Sequence, residues 1–519
     1  MSGPVSNPEP EAQRIAELEQ TIGQLEGTVE SLNHQLDWFK RQLFGRKSEK
    51  RELEDNPHQP MLKGFETDAA AAEDKPQSET VTYTRKKGHK QRGDDCVNDS
   101  GLRFDSNVPM KTIRCTVPEL KGESAKDFEV IGYERSYRLA QYPSTHVVLE
   151  YLTPVIKRKA DANIIHVPAP ASIWPGSIAD VSWVAGVIVE KLVYHQPLYR
   201  QHQRLEREGI TLARSTLTNV MHRAAKLLAP IAKAQLAHIL QSKVLAIDET
   251  PIKAGRAKKG KMRLAWYWPI YGQDDEVAFS YSRTRGRQHL LDTLGQFDGT
   301  LLSDGHSAYE SYVKRVPGVT HAQCWAHTRR EFLKAENSEP EAVAQALDAI
   351  GAMYHVETHI RDNELEHDDK LTCRAEHAKP IVDGFFQWCD EQCQRMDLAP
   401  SDPLSKALNY ARNREQQLRL YLTDPAVPID TNHLERTLRV IPMGRKNWLF
   451  NWTEVGAEHL GNLQSLLTTC RLHDINPMTY LIDVLQRIDT HSDQDIIQLT
   501  PREWKTHFAH DPMRSDLEL

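Results

Sequence analysis

The sequence predicts a multidomain α+β protein, and three observations predict it. Apolar residues near the N-terminus repeat at coiled-coil spacing, a middle region alternates like strands, and a later region passes from strands to a helix–strand alternation. At 519 residues the chain has room for several hydrophobic cores.

The apolar seam comprises Ile15, Leu18, Ile22, Leu25, Val29, Leu32 and Leu36, continuing to Phe39 and Leu43 in alternating steps of three and four. Such spacing suits a coiled-coil helix over 12–45, with self-association, by default as a dimer, through that seam. Residues 1–11 read as disordered and 46–80 as a polar linker. The run YTRKKGHKQR then opens a small β-rich module at 81–170. Its Arg85, Lys86 and Lys87 suit either phosphate contact or a solvated face. VIGYERSYRLAQYP and THVVLEYLTPVIKRK read as two strands joined by a turn.

Residues 171–240 turn helical, with Pro197 at a helix start and Gly209 between two helices. A helix-turn-helix reading sets Arg214, Ser215 and Thr218 near the start of a recognition helix; a hairpin that only packs is the plainer one. From KVLAIDETPIKAG the texture is strand-like, with RLAWYWPIYG, EVAFSYS, GTLLSDG and VTHAQCWAH as further strands. Short connections and later helices suggest a mixed sheet with helical cover. Residues 331–425 and 451–519 read as helical.

No apolar run approaches the roughly 18 to 20 residues of a membrane span, and the polar, acidic start MSGPVSNPEPEAQ lacks the features of a secretory signal. The 7 scattered cysteines suit reduced thiols. An intracellular protein is expected. The net charge of -7 argues against uniform coating by nucleic acid and directs attention to local clusters.

Two apolar strands end in acids: VLAID at Asp248 and GTLLSD at Asp304. Strand ends are where ligand sites gather in α/β sheets, although acids also end strands as turn formers and caps. A third acid, Glu435, lies in NHLERTLRVI, with Leu434, Leu438 and Ile441 at helical spacing toward the core. A surface pair with Arg439 would account for Glu435 alone. Three convergent carboxylates would instead repel one another unless hard cations such as Mg²⁺ or Mn²⁺ neutralised them. Two such ions per site suit phosphoryl transfer on a nucleic-acid backbone. Basic residues lie in loops near each acid: Lys253, Lys258, Lys259 and Lys261 after Asp248, Arg283, Arg285 and Arg287 upstream of Asp304, and Arg436, Arg439, Arg445 and Lys446 after Glu435. Arg445 and Lys446 read as a turn beyond the helix.

Seven motifs in order, FGRKSEK, HQPLYRQHQRLEREGI, IDETP, SDGHSAYE, CWAHTRREF, NHLERTLR and GRKNWLF, resemble the insertion-sequence-66 family of bacterial DDE transposases. The resemblance implies catalytic and metal-binding roles for Asp248, Asp304 and Glu435. It also implies a ribonuclease-H-like core beginning at 241–330, a helical insertion at 331–425, and a core helix bearing the catalytic Glu at 426–450. The implied reaction is nicking at transposon ends followed by strand transfer into target DNA. Implied partners are terminal inverted repeats, target DNA and small accessory proteins of the same element. With no membrane segment expected, the implied location is the cytoplasm, at the nucleoid.

The sequence departs from the family in its β-rich module, where paired CxxC motifs are reduced to Cys96 and Cys115. The module is therefore expected to be a degenerate zinc ribbon without structural zinc, unless His89, His146 or His166 completes a mixed site. His306 stands where relatives carry Tyr. In Cys324-Trp-Ala-His327, His327 is expected beside the active site, with Arg329 and Arg330 on phosphate. Cys389 and Cys393 fall one helical turn apart and suit packing or exposure. The alternatives are a catalytically silent DNA-binding and assembly protein of the same fold, and a ribonuclease-H-like nuclease.

Overall fold

The structure, a computed structural model, describes residues 102–518 except 118, 119, 122, 143, 144, 167–169 and 171, and only the backbone of 123 and 124. The seam from Ile15 to Leu36, the linker, and Arg85, Lys86, Lys87, His89 and Cys96 lie outside the described residues.

In chain order, β1 (Arg103–Phe104) and β2 (Met110–Arg114) precede a long hairpin of β3 (Phe128–Tyr142) and β4 (Thr145–Arg158), and β5 (Ile164–His166) adds to β4. His146 and His166 each face a carboxylate here, Glu208 and Glu134, with Nδ1 to oxygen distances of 2.5 Å. Three helices follow: α1 (Val181–Leu192), α2 (Leu198–Arg207) and α3 (Arg214–Ile239), with β6 (Ile210–Thr211) pairing back to β1. The α3 helix runs through Pro230 instead of stopping there, because Ile231, Ala232, Gln235 and Ile239 continue its buried face. Gln235 secures that extension by donating to Val277 O and Thr469 Oγ1, both at 2.9 Å.

The next sheet comprises β7 (Val244–Ile247), β8 (Thr250–Lys258), β9 (Lys261–Tyr271), β10 (Val277–Ser282), β11 (Gly299–Ser303) and β12 (Val319–Gln323). Its order is β10-β9-β7-β11-β12, with β8 on β9; β7, β11 and β12 run parallel, and β9 is antiparallel to β7, β8 and β10. Every residue of β7 is buried, as a central strand covered on both faces requires. Side chains alternate across a strand. Accordingly, Val244 and Ala246 enter one core and Leu245 and Ile247 the other.

The second core is closed by α4 (Arg287–Leu294) and α5 (Ser307–Val313) through Leu290, Leu294, Tyr309 and Tyr312. After β12 come α6 (Trp325–Leu333), α7 (Pro340–Asp362), α8 (His367–Cys373), α9 (Lys379–Cys393), α10 (Pro403–Arg412) and α11 (Glu415–Arg419). CWAH therefore opens a helix and does not extend the strand. Trp325 and Phe332 of α6 meet Phe385 of α9, with ring centroids 5.3 and 5.8 Å apart, and this locks the helical stretch to the sheet.

The chain ends with α12 (Asn432–Leu438), α13 (Val440–Trp448), α14 (Glu454–Leu472), α15 (Pro477–Arg487) and α16 (Pro501–His507). The α14 helix covers the first core, where Tyr267 Oη donates to Ala457 O at 2.7 Å. At Gly461 a Cβ would lie 2.5 Å from Phe279 O, so only glycine lets the helix approach β10 this closely. Among the described residues no helix is long and apolar enough to cross a membrane.

Candidate active site

The parallel pairing of β7 and β11 matches Ala246 with Leu302. Two residues further along each strand come Asp248 and Asp304, so the register brings both acids to the same carboxyl end of the sheet. Glu435 arrives from α12. That helix is seated on β9 by His433, whose ring lies edge-on to Tyr271 with centroids 4.8 Å apart. Leu434 and Ile441 are fully buried beneath it and Leu438 is half-buried.

The approach to α12 is built by the helical stretch. Tyr354 of α7 donates to Asp430 Oδ2 at 2.7 Å, and Asp430 Oδ1 accepts from the Asn432 amide at 2.9 Å. Cys324 Sγ accepts from both the amide and hydroxyl of Thr431 at 3.3 Å, and burial pushes its thiol up to about 11. Arg414, just after α10, donates to Gly305 O at 3.1 Å beside Asp304. A Cβ on Gly305 would lie 2.6 Å from the Arg414 Nε, so a side chain there would displace this guanidinium.

Asp248 belongs to two groups of potential metal ligands, each with donor atoms within 4.8 Å of one another: Asp248, Glu249 and Asp304, and Asp248, His327 and Glu435. Burial, reinforced by the charges of Glu249, Asp304 and Glu435, pushes the Asp248 carboxyl up to about 7, against one backbone hydrogen bond that lowers it. The half-buried His327 has its pKa held below the usual range by burial and by Arg330. Its buried Nδ1 has no hydrogen-bond partner among the described residues. A neutral imidazole beside carboxylates, and a carboxyl that retains its proton for want of compensating charge, fit divalent cations.

Glu249 was not singled out by the sequence. Its side chain is buried, held by Arg285 at 2.5 Å and by the Tyr309 hydroxyl. Nor was the partner of Glu435 foreseen. The structure pairs Glu435 with Arg330, from α6, and not with Arg439; His327 Nε2 lies 3.9 Å from the same oxygen. Arg330, expected on phosphate, is therefore engaged by an acid.

The other predicted basic residues are dispersed around this centre. Lys253 and Lys258 are exposed on β8, Lys259 in the β8–β9 turn and Lys261 at the start of β9, and Arg329 is exposed on α6. Arg436 and Arg439 line a 470 Å³ cleft with Arg471. Arg445 and Lys446 lie in the last turn of α13 and not in a loop, and Arg445 donates to Pro251 O.

The fold and site together define a class: a mixed-sheet protein with groups of acidic side chains that could hold divalent cations. The chain belongs to the IS66 transposase family, as residues 176–459 match the Transposase IS66 family. Residues 465–502 match the IS66 C-terminal element, and 31–95 match the transposase C of IS166 homeodomain. Relatives include the uncharacterized proteins y4hP and y4jD of Sinorhizobium fredii (strain NBRC 101917 / NGR234). The first is 26% identical over 92% of this chain and 89% of its own, and the second 26% identical over 95% and 98%. Family membership supports a transposase function and implies DNA binding.

Proposed function

We propose that the protein is a DDE transposase that cuts DNA at transposon ends and joins the freed 3′-hydroxyl to target DNA. The observation that carries this reading is that Asp248 shares one group of potential ligand atoms with Asp304 and a second with Glu435, the atoms of each group lying within 4.8 Å of one another. Asp248, Asp304 and Glu435 would hold two Mg²⁺ or Mn²⁺ ions. Bound there, the ions supply Lewis acidity to the attacking and leaving oxygens of a phosphodiester. The sheet order, three antiparallel strands followed by two parallel ones, supports a ribonuclease-H-like core.

The protein's own residues supply position and charge. Glu249, held by Arg285 and Tyr309, keeps the Asp248 loop in place. Arg329 and the exposed lysines of β8 neutralise backbone phosphates. Self-association through Ile15 to Leu36 would bring two such centres to paired ends.

The test is metal-dependent cleavage and strand transfer on DNA carrying the element's terminal repeats. Asp248→Asn, Asp304→Asn and Glu435→Gln are each expected to abolish product while retaining DNA binding; full activity in any one would sink the assignment. The hold of Arg330 on Glu435 favours a second reading, a catalytically silent DNA-binding and assembly protein. Terminal-repeat binding without product under any metal, even with the element's accessory proteins, would support that instead.

A further inference from the structure

A cleft of 690 Å³ opens where α2 and the start of α3 face the segment after α13. Its volume falls within the roughly 300 to 1,000 Å³ of small-ligand sites. Its walls combine aromatic faces with cations. Tyr199 is 48% exposed and carries the Arg214 guanidinium 4.9 Å from its ring centroid. Trp452 is 61% exposed, and Arg256, outside the cleft lining, sits at the same distance from its ring; within the lining the cations are Arg214 and Lys191. Leu449, also in the lining, is 60% exposed and lies at φ 64° and ψ −54°, a rare and strained γ-turn closed by the Phe450 amide donating to Trp448 O at 2.8 Å.

We propose that this cleft receives an unpaired nucleobase of bound DNA. The inference rests on the DNA-binding reading above. Bases stack on aromatic faces whatever their sequence, and arginines beside those faces meet the adjoining phosphates. A leucine at the rim can fill the gap left in the base stack. The occupant is identified by this alternation of ring and cation; an apolar peptide would not use the arginines. Trp448 closes α13, the helix that follows the Glu435-bearing α12 after a turn at Arg439. The helix-turn-helix-like segment and the end of GRKNWLF then serve one site.

Binding of the full-length protein is to be measured in EDTA, so that no strand is cut, to a short duplex of arbitrary sequence and to the same duplex carrying one unpaired 2-aminopurine. The wild type is expected to prefer the unpaired form by about tenfold, with quenching of the 2-aminopurine fluorescence by stacking. Trp452→Ala and Tyr199→Ala should remove the preference and the quenching yet leave paired-duplex binding within about twofold, and Trp452→Phe should retain both. Binding of the paired duplex with no preference for the unpaired one overturns this inference alone. No binding to either duplex overturns the DNA reading, and this inference with it. A Trp452→Ala protein that keeps the preference but changes its oligomeric state assigns the cleft to a second copy of the chain.

Discussion

Arg330 Nη2 donates to Glu435 Oε1, joining residues 105 positions apart across the helical stretch. The guanidinium supplies at Glu435 the positive charge that a bound ion would otherwise supply. Because the Arg330 side chain is 48% exposed and that of Glu435 27%, water screens the pair and its net strength is modest.

Arg330→Ala should therefore separate binding from chemistry. With the competing cation removed, Mn²⁺ affinity measured by calorimetry is expected to tighten by about threefold to fivefold. DNA cleavage by the same variant is expected to fall, because the loss of Arg330 removes a cation, expected from the sequence on phosphate, beside the carboxylate cluster. Weaker Mn²⁺ binding would show that Arg330 orients Glu435 and does not compete for it.

Asp248 should make metal binding and stability depend on pH in opposite ways. With its carboxyl raised to about 7, the folded protein holds a proton between about pH 4 and 7 that the unfolded chain has released. Without metal, stability consequently falls as pH rises through that window. Ion binding must expel this proton, so Mn²⁺ affinity should rise with pH up to about 7, with proton release visible as a buffer-dependent binding enthalpy. In EDTA near pH 8, Asp248→Asn should raise the melting temperature by about 5 °C, and near pH 4 by almost nothing. An unchanged melting temperature near pH 8 would mean that the raised carboxyl has no energetic consequence.

What could be read in the sequence followed periodicity, and what could not depended on distant partners. The run VLAI announced a buried strand, and the exits of β7 and β11 located Asp248 and Asp304. Glu249 escaped because neighbouring residues in an extended strand face opposite ways. The strand in fact ends at Ile247, so the residue after Asp248 is free of that alternation. Arg439 looked like the partner of Glu435 at helical spacing, but α12 ends at Leu438 and α6 delivers Arg330 instead. Arg445 and Lys446 read as a turn beyond the helix, but both lie in α13 after Gly444. The glycine lies inside α13, where a Cβ would meet Trp448 Nε1 at 2.6 Å, so it serves close packing and not chain reversal.

The 470 Å³ cleft lined by Arg436, Arg439 and Arg471 should contribute to DNA affinity through charge alone. None of the three forms an ion pair among the described residues. Each Arg→Gln substitution is expected to weaken binding equally for all sequences and to lower the slope of log affinity against log salt by about 0.9, the value of one phosphate contact. An unchanged slope for Arg471→Gln would remove that residue from the interface. Because Arg471 was not among the predicted DNA contacts, it tests the cleft independently of the motif.

Arg374 should prove the strongest structural determinant of the site outside it. The residue is fully buried and makes a bidentate pair with Glu357, both bonds at 2.8 Å. It also donates to the carbonyls of Tyr421, Asp424 and Val427, which lead into Asp430 and α12. Arg374→Met leaves Glu357 without its partner and three carbonyls without their donor, a loss of about 3 to 5 kcal/mol. Its denaturation midpoint should fall accordingly. Limited proteolysis under native conditions should cut first between Leu420 and Asp430, where the released carbonyls lie. Because that segment delivers Glu435, Mn²⁺ affinity should fall as well, whereas Arg361→Met, an exposed change on the same helical stretch, should alter neither. Retention of Mn²⁺ affinity alongside the lost stability would show that α12 is held by the sheet through His433 and Leu434 alone.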